Sequence, residues 1–279
     1  AAGRPGRQTI PPADDGPAPS GLLGCQDQLV VLERAAGEAR AGRGGVVLVR
    51  AGAGMGKTAL LDAWASLQQP REMLVMSASG AELEQGFAFA VLRQLVEPLL
   101  ARAGDEGRAR LLSGPAQLAS HALRVEGTGE LSPEASLGLL HSLYWLMVHV
   151  ADEGPVALVV DDVHWADVPS VRWLEYLARR LRGLPLLLVL AGRPDNGAGA
   201  EPMLERIAGQ PYCRLVGLPG LDIDSVTHLV RASLGPAEPR FVAACASATE
   251  SNPLLLHELL RTLAGNQVRA TDDRAHLVA

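Results

Sequence analysis

The chain has 279 residues, of which 48% are hydrophobic and 20% charged, a length and composition suited to one large α/β domain or a core domain with a smaller companion. Its formal net charge of −6 argues against a broad basic face for DNA or RNA, and the local run Arg179-Arg180 with Arg182 reads as the solvated side of a helix. Three scattered cysteines, Cys25, Cys213 and Cys245, make neither a disulfide framework nor a metal spacing, so a reducing cytoplasm is expected.

Residues 1–21 are rich in Pro, Gly and Ala with few large apolar side chains, and are expected to be a disordered leader without a signal peptide. The chain begins without Met, which suggests a piece of a longer protein. Apolar positions at Leu29, Val30, Leu32, Ala36 and Ala39 predict a helix over 26–41. Arg43-Gly44-Gly45 then turns the chain into a strand at 46–50.

Residues 51–58 read AGAGMGKT, a glycine-rich turn between that strand and the helix predicted from Thr58 to Leu67. Such a turn aims successive backbone N–H groups at phosphate oxygens, and the helix points the positive end of its dipole at the anion. Gly52, Ala53, Gly54, Met55, Gly56, Lys57, Thr58 and Ala59 are therefore the candidate phosphate-binding residues, with Lys57 reaching the outer phosphates and the Thr58 hydroxyl on Mg²⁺. Ala51 stands where the motif G-x-x-x-x-G-K-[ST] has its first glycine.

After a stop at Pro70, Met73 to Ser77 predicts a strand. The stretch 86–153 shows only helical periodicity, with loops expected at Gly104–Gly107 and Gly127–Gly129. Within it the longest apolar run, Leu137 to Ala151, is broken by His141 and His149 and is too short to span a bilayer, so no membrane partner is expected. The string Leu112-Ser113-Gly114-Pro115 superficially matches a transport-ATPase signature, but lacks its following Gly-Gln and is set aside.

Val156–Val160 and Leu186–Ala191 are all-apolar strands, a helix is expected over 169–182, and a weaker strand at Cys213–Val216. Strands apolar on both faces and separated by helices predict a mostly parallel sheet covered on both sides. From Leu221 onward only helices are expected, at 222–234, 238–247 and 253–264.

The strand at 156–160 runs into Asp161-Asp162, which delivers a carboxylate to the carboxyl end of the sheet, where a nucleotide's Mg²⁺ would lie. Asp161 is the candidate metal-side acid, and Asp162 is placed to polarise an attacking water. Arg193, following the strand at 186–191, is a candidate contact for the γ-phosphate. His164 and Trp165 read as structural, and His141, His149 and His257 lack partners at ligand spacing.

From Leu22 to about Arg269 the chain resembles the N-terminal ATPase module of the large ATP-binding regulators of the LuxR family, members of the class of signal-transduction ATPases with numerous domains (STAND). VVLVRAGAGMGKTALL, GFAFAVLRQLVEPLL, LVVDDVHWADVPSVRWLEYLARRL, LLLVLAGRPD and SNPLLLHELL carry the resemblance. It implies an α/β P-loop NTPase fold of the ASCE, AAA-like type: a core at 22–218 with a helical insertion at about 86–153, and a truncated helical lid at 219–279.

It further implies ATP or ADP bound with Mg²⁺ between core and lid. Lys57 and Thr58 would hold phosphate and metal, Asp161 would be the Mg²⁺ acid, Arg193 the sensor, and Pro253 would lie near adenine. The implied function is a slowly hydrolysing regulatory switch of a transcriptional regulator. Its partners would be the other domains of the full-length protein and, in one nucleotide state, further copies of itself; DNA binding would fall to a helix-turn-helix beyond Ala279, not to this chain. Departures from the family pattern are Leu23-Gly24-Cys25-Gln26 in place of hydrophobic-Gly-Arg-Glu, Ala51 and Gly52 in the loop, and Ser251 for glycine before Asn252-Pro253. They motivate an alternative, a nucleotide-binding oligomerisation or sensing scaffold without significant turnover. A third reading, a small-molecule phosphotransferase, is disfavoured by Arg193 and the helical tail.

Overall fold

A computed structural model describes residues 23–68, 71–123, 133–194 and 201–278. The predicted leader at 1–21, the stop at Pro70 and the loop at Gly127–Gly129 lie outside the described residues.

Five described strands form one parallel sheet: β1 (Gly45–Arg50), β2 (Leu74–Ser79), β3 (Val156–Asp161), β4 (Leu186–Gly192) and β5 (Cys213–Gly217). Their order is β2-β3-β4-β1-β5, and each pairing is parallel. The fold is therefore α/β with a parallel sheet, as the doubly apolar strands predict. The order inserts β4 between the strand that precedes the phosphate loop and the strand that ends in Asp161-Asp162.

Side chains alternate across each strand, so the central strands must be apolar at every position. Val47 and Val49 of β1, with Val159, Leu187 and Val189, meet the helices α1 (Gln26–Arg40) and α2 (Lys57–Gln68) through Leu32, Ala36, Leu60 and Trp64. Val46 and Leu48, with Leu158, Val160 and Leu188, face the opposite layer. That layer contains α3 (Ala90–Arg102), α6 (Pro133–Ala151), α7 (Val168–Ala178) and α8 (Glu201–Ala208). No helix among the described residues is long and apolar enough to cross a membrane.

The predicted helical stretch 86–153 resolves into α3, α4 (Gly104–Leu111), the single turn α5 (Ala119–Ala122) and α6. The loop expected at Gly104–Gly107 is instead the first turn of α4. Asp105 and Glu106 in that turn, and Arg108 and Arg110 in the last, complement the helix dipole and offset two glycines. The helix expected over 169–182 ends at Ala178, and α8 fills a segment with no predicted element, burying Met203, Leu204 and Ile207.

Asp167 ties the insertion to the core. It is 1% exposed, and its carboxylate accepts from the backbone N–H of Ser170 (2.9 Å), Phe89 (2.8 Å) and Val91 (3.2 Å). One side chain thus caps α7 and the start of α3, where Phe89 turns with φ 60°.

The C-terminal helices α9 (Ile223–Leu234), α10 (Pro239–Ala248) and α11 (Pro253–Gly265) enclose a third core around Val226, Val230, Phe241, Cys245, Leu256 and Leu260. A 3-10 turn at Asp272–Leu277 lies between Ala270 and Val278, both buried in this core. The chain turns from α10 into α11 through Glu250 and Ser251, both left-handed (φ 50° and 55°). Ser251 donates its N–H to Ala246 and accepts from Leu221, both at 2.8 Å.

Two stability predictions follow from these polar anchors. Asp167→Ala strands three buried N–H groups and should lower unfolding free energy by about 2–4 kcal/mol, read by chemical denaturation. Ser251→Gly relieves a left-handed conformation worth about 1–2 kcal/mol against a smaller entropic loss, so it should raise stability by about 0.5–1 kcal/mol.

Candidate functional site

The phosphate loop is built so that its carbonyl groups are occupied and its N–H groups are not. Lys57, 6% exposed, turns back to donate from Nζ to the Ala51 carbonyl (3.0 Å) and the Gly52 carbonyl (2.9 Å). The next two carbonyls are held from the far end of the chain. Asn252 Nδ2 donates to Ala53 (2.9 Å), and the Leu254 N–H donates to Gly54 (3.2 Å).

By contrast, no backbone N–H from Gly52 to Ala59 donates to another group among the described residues. Lys57, Thr58 and Ala59 open α2, where N–H groups have no intrahelical acceptor in any case. Eight donors along the loop and into the positive end of a helix make a concave site for an anion.

The structure also explains why Ala51 is tolerated. The residues of the loop with positive φ are Gly54 (73°) and Gly56 (87°), and both are present. Ala51 is buried in the sheet-side core, gives its N–H to Gly192 (3.3 Å) and its carbonyl to Lys57, and none of this calls for positive φ. At Gly54 the close approach of α11 excludes a side chain: an added Cβ would lie 2.7 Å from Leu254 Cβ and 2.8 Å from Asn252 Oδ1.

Above the loop lies a cavity of about 490 Å³. Ala53, Gly54, Met55, Gly56, Lys57, Thr58 and Ala59 line its floor, Asp162 and Arg193 its side, and Pro253 and Leu254 its roof. The structure therefore gathers the predicted residues on one cavity, except Asp161 and Gly52. Asp161 stands behind Thr58, in an adjoining 340 Å³ cleft that Thr58 also lines. There its Oδ2 accepts from the Thr58 hydroxyl (2.5 Å) and its Oδ1 from the Asp162 N–H (2.8 Å).

Three parts of the cavity wall had no predicted role. His257 of α11 lines it, one helical turn beyond Pro253. Leu23 and Cys25 enter from before α1, and Leu221 and Leu229 from around α9. The helical spacing Pro253, Leu254, His257 could have signalled the first; the others depend on tertiary packing.

Charge is concentrated where β3 and β4 end. Burial pushes the Lys57 ammonium below its ordinary pKa, against the pull of Asp162 and Asp161 and with the help of Arg193. A polyanion would compensate that desolvated cation. Asp162 sits in a left-handed conformation (φ 43°, ψ 41°), the kind of local strain that gathers at functional positions. Beside it His164 is 4% exposed; burial lowers its pKa, outweighing the opposing effect of Asp162.

The sequence profile of the AAA ATPase domain matches residues 22–189, more than half of the chain. A comparison with curated proteins finds no match. Among solved structures, the chain is similar to Cdc6p from Pyrobaculum aerophilum: 17% identity, TM-score 0.52, covering 91% of this chain and 64% of that one. It is also similar to the ORC2 protein of Aeropyrum pernix, solved in ADPNP–ADP complexes: 12% identity, TM-score 0.54, covering 95% and 69%. A STAND protein with a tetratricopeptide repeat sensor from Pyrococcus horikoshii aligns at 20% identity over 82% of this chain and 29% of its own. Its TM-score of 0.46 adds nothing to the fold argument. The chain thus spans less than two thirds of Cdc6p and under a third of the STAND protein, and at these identities the likeness concerns the fold. The profile match, the strand order and the phosphate loop agree: this chain belongs to the AAA ATPase domain family.

Proposed function

We propose that this chain is an ATP/ADP-binding regulatory module that hydrolyses ATP slowly, within a LuxR-type transcriptional regulator whose DNA-binding domain is not part of this chain. The observation that carries the proposal is the run of unengaged N–H groups from Ala53 to Ala59 facing a cavity of about 490 Å³ beneath α11. In size and lining the cavity matches sites for small ligands. The adenine nucleotides of the ORC2 structure are in keeping with this choice of ligand.

In this reading the loop and Lys57 cradle the β- and γ-phosphates, with Lys57 exchanging its carbonyl contacts for phosphate oxygens. Leu23, Cys25, Leu221, Leu229 and Pro253 offer the base a largely apolar wall. Arg193 meets charge at the γ-phosphate, and Asp162 orients the attacking water and receives its proton. The Thr58 hydroxyl and Asp161 carboxylate, hard oxygen donors already in contact, suit Mg²⁺ and would hold it. When bound, that ion neutralises charge on the phosphate oxygens.

Because α11 holds Ala53 and Gly54 directly, loop occupancy and the setting of α9–α11 are mechanically joined. This joint supports a switch that reports its nucleotide to the rest of a larger regulator or to another copy. The same observations leave a second reading, a binding scaffold without turnover. It is favoured by the departures from the family pattern at Cys25, Ala51 and Ser251, which fall in the segments that line or grip the cavity.

Titration with fluorescent ADP and ATP in the presence of Mg²⁺, together with a phosphate-release assay, tests both. Lys57→Ala should weaken binding by about 10- to 100-fold. Asp162→Asn should leave affinity within about twofold and cut phosphate release about 100-fold. Absence of binding at millimolar nucleotide sinks the proposal, and equal background phosphate release in all three proteins selects the scaffold.

A further inference from the structure

Just past the carboxyl end of β3 the fold buries an imidazole that makes no hydrogen bond among the described residues. His164 is 4% exposed, and neither ring nitrogen has a hydrogen-bond partner among the described residues. A neutral imidazole carries one donor and one acceptor, and leaving both unmet in a dry pocket is unfavourable. Next to it, the Asp162 carboxylate accepts no hydrogen bond among the described residues; His164 Nδ1 stands 3.8 Å from its Oδ1.

That distance is about one ångström too long for a hydrogen bond, a gap of the kind that closes when a ligand completes a site. Two unmet needs therefore face each other. A carboxylate that must aim a water has nothing fixing its rotamer, and a buried N–H has no acceptor. The groups around the ring are accounted for: Asp162 and Asp161 favour its charged form, Arg193 and Lys57 oppose it, and burial, the largest effect, keeps it neutral. Gln85 donates to the His164 carbonyl (3.4 Å), the Trp165 ring lies 5.1 Å away, and Gly192 flanks Nδ1 without a side chain to block it.

We propose that His164 is a positioning residue for hydrolysis: its Nδ1–H donates to Asp162 Oδ1 when nucleotide fills the cavity, leaving Oδ2 aimed at the attacking water. The inference rests on the hydrolytic reading above. Water forms the new P–O bond at the γ-phosphorus, the β–γ bridge breaks to release ADP, and Asp162 takes the water's proton and then passes it on to the phosphate. His164 neither gives nor takes a proton; it fixes one carboxylate oxygen. This tautomer leaves Nε2 an acceptor, and Arg193, whose charge acts on the ring, carries a buried Nε–H that lacks one.

The test compares His164→Leu, which fills the volume without a donor, with His164→Asn, whose amide N–H sits close to the position of Nδ1. His164→Leu should lower kcat for phosphate release about 10- to 100-fold while leaving nucleotide Kd and thermal midpoint close to wild type. His164→Asn should recover most of the lost kcat. Unchanged kcat in His164→Leu, or equal losses in both variants, overturns the inference, as does a wild-type chain that binds ATP but releases no phosphate. A wild-type chain that binds no nucleotide at all is a different result, and defeats the nucleotide reading itself.

Discussion

A turn of backbone can serve as an anion site only if its carbonyl oxygens are kept from the ligand and its N–H groups are left free. The loop after β1 meets this requirement with donors from three places. Lys57 turns back on Ala51 and Gly52, Asn252 reaches Ala53, and the first turn of α11 supplies the N–H for Gly54. The sheet supplies the fourth restraint, holding the Ala51 N–H on Gly192 of β4. Remove Asn252 or the Leu254 N–H and a carbonyl of the turn is free to rotate inward, where it would repel a phosphate. The doubly buried sheet and the C-terminal helices are in this sense both parts of the loop.

The second concentration of polar structure lies along the segment from Asp161 to Ser170, and its members divide between order and strain. Asp167 is fully satisfied, giving its carboxylate to three N–H groups and docking α3 on α7. Asp162 and His164 in the same segment, with Arg193 just after β4, are the opposite among the described residues: a left-handed aspartate, an imidazole without a hydrogen bond and a buried guanidinium Nε without an acceptor. Well-satisfied polar groups make a rigid frame, and unsatisfied ones mark where the frame expects company. The contrast between Asp167 and its neighbours Asp162 and His164 is the clearest local sign that this segment serves both the frame and the cavity.

Most of the sheet could be read from the sequence because strands such as Val156–Val160 are apolar at every position, a pattern that only burial on both faces explains. Lys57, Thr58, Asp162 and Arg193 were equally legible, since glycine spacing and acid-ended strands mark the carboxyl edge of such a sheet, and the structure brings them to one cavity. Gly104–Gly107 misled because two glycines outweigh a charge pattern whose benefit appears only once the helix and its dipole exist. The segment of α8 is short and half polar, and its three buried side chains have meaning only against α7. The missing glycine at position 51 looked like a defect because the motif does not say which of its glycines bear positive φ. The hold of α11 on the loop, and the exposure of His257 to the cavity, depend on a contact that no local pattern encodes.

That hold has a consequence for how the protein is made. Asn252 and Ala53 are 199 residues apart in sequence, so the loop's last restraints come from a part of the chain made long after the loop itself. Contacts of such high sequence separation form late, after the loop-closure entropy has been met by other packing. During translation the sheet can assemble once β5 has emerged, yet the turn after β1 remains unlatched until α11 arrives to grip it. The phosphate loop is therefore expected to be latched only after the sheet has formed, once α11 has been made and has packed.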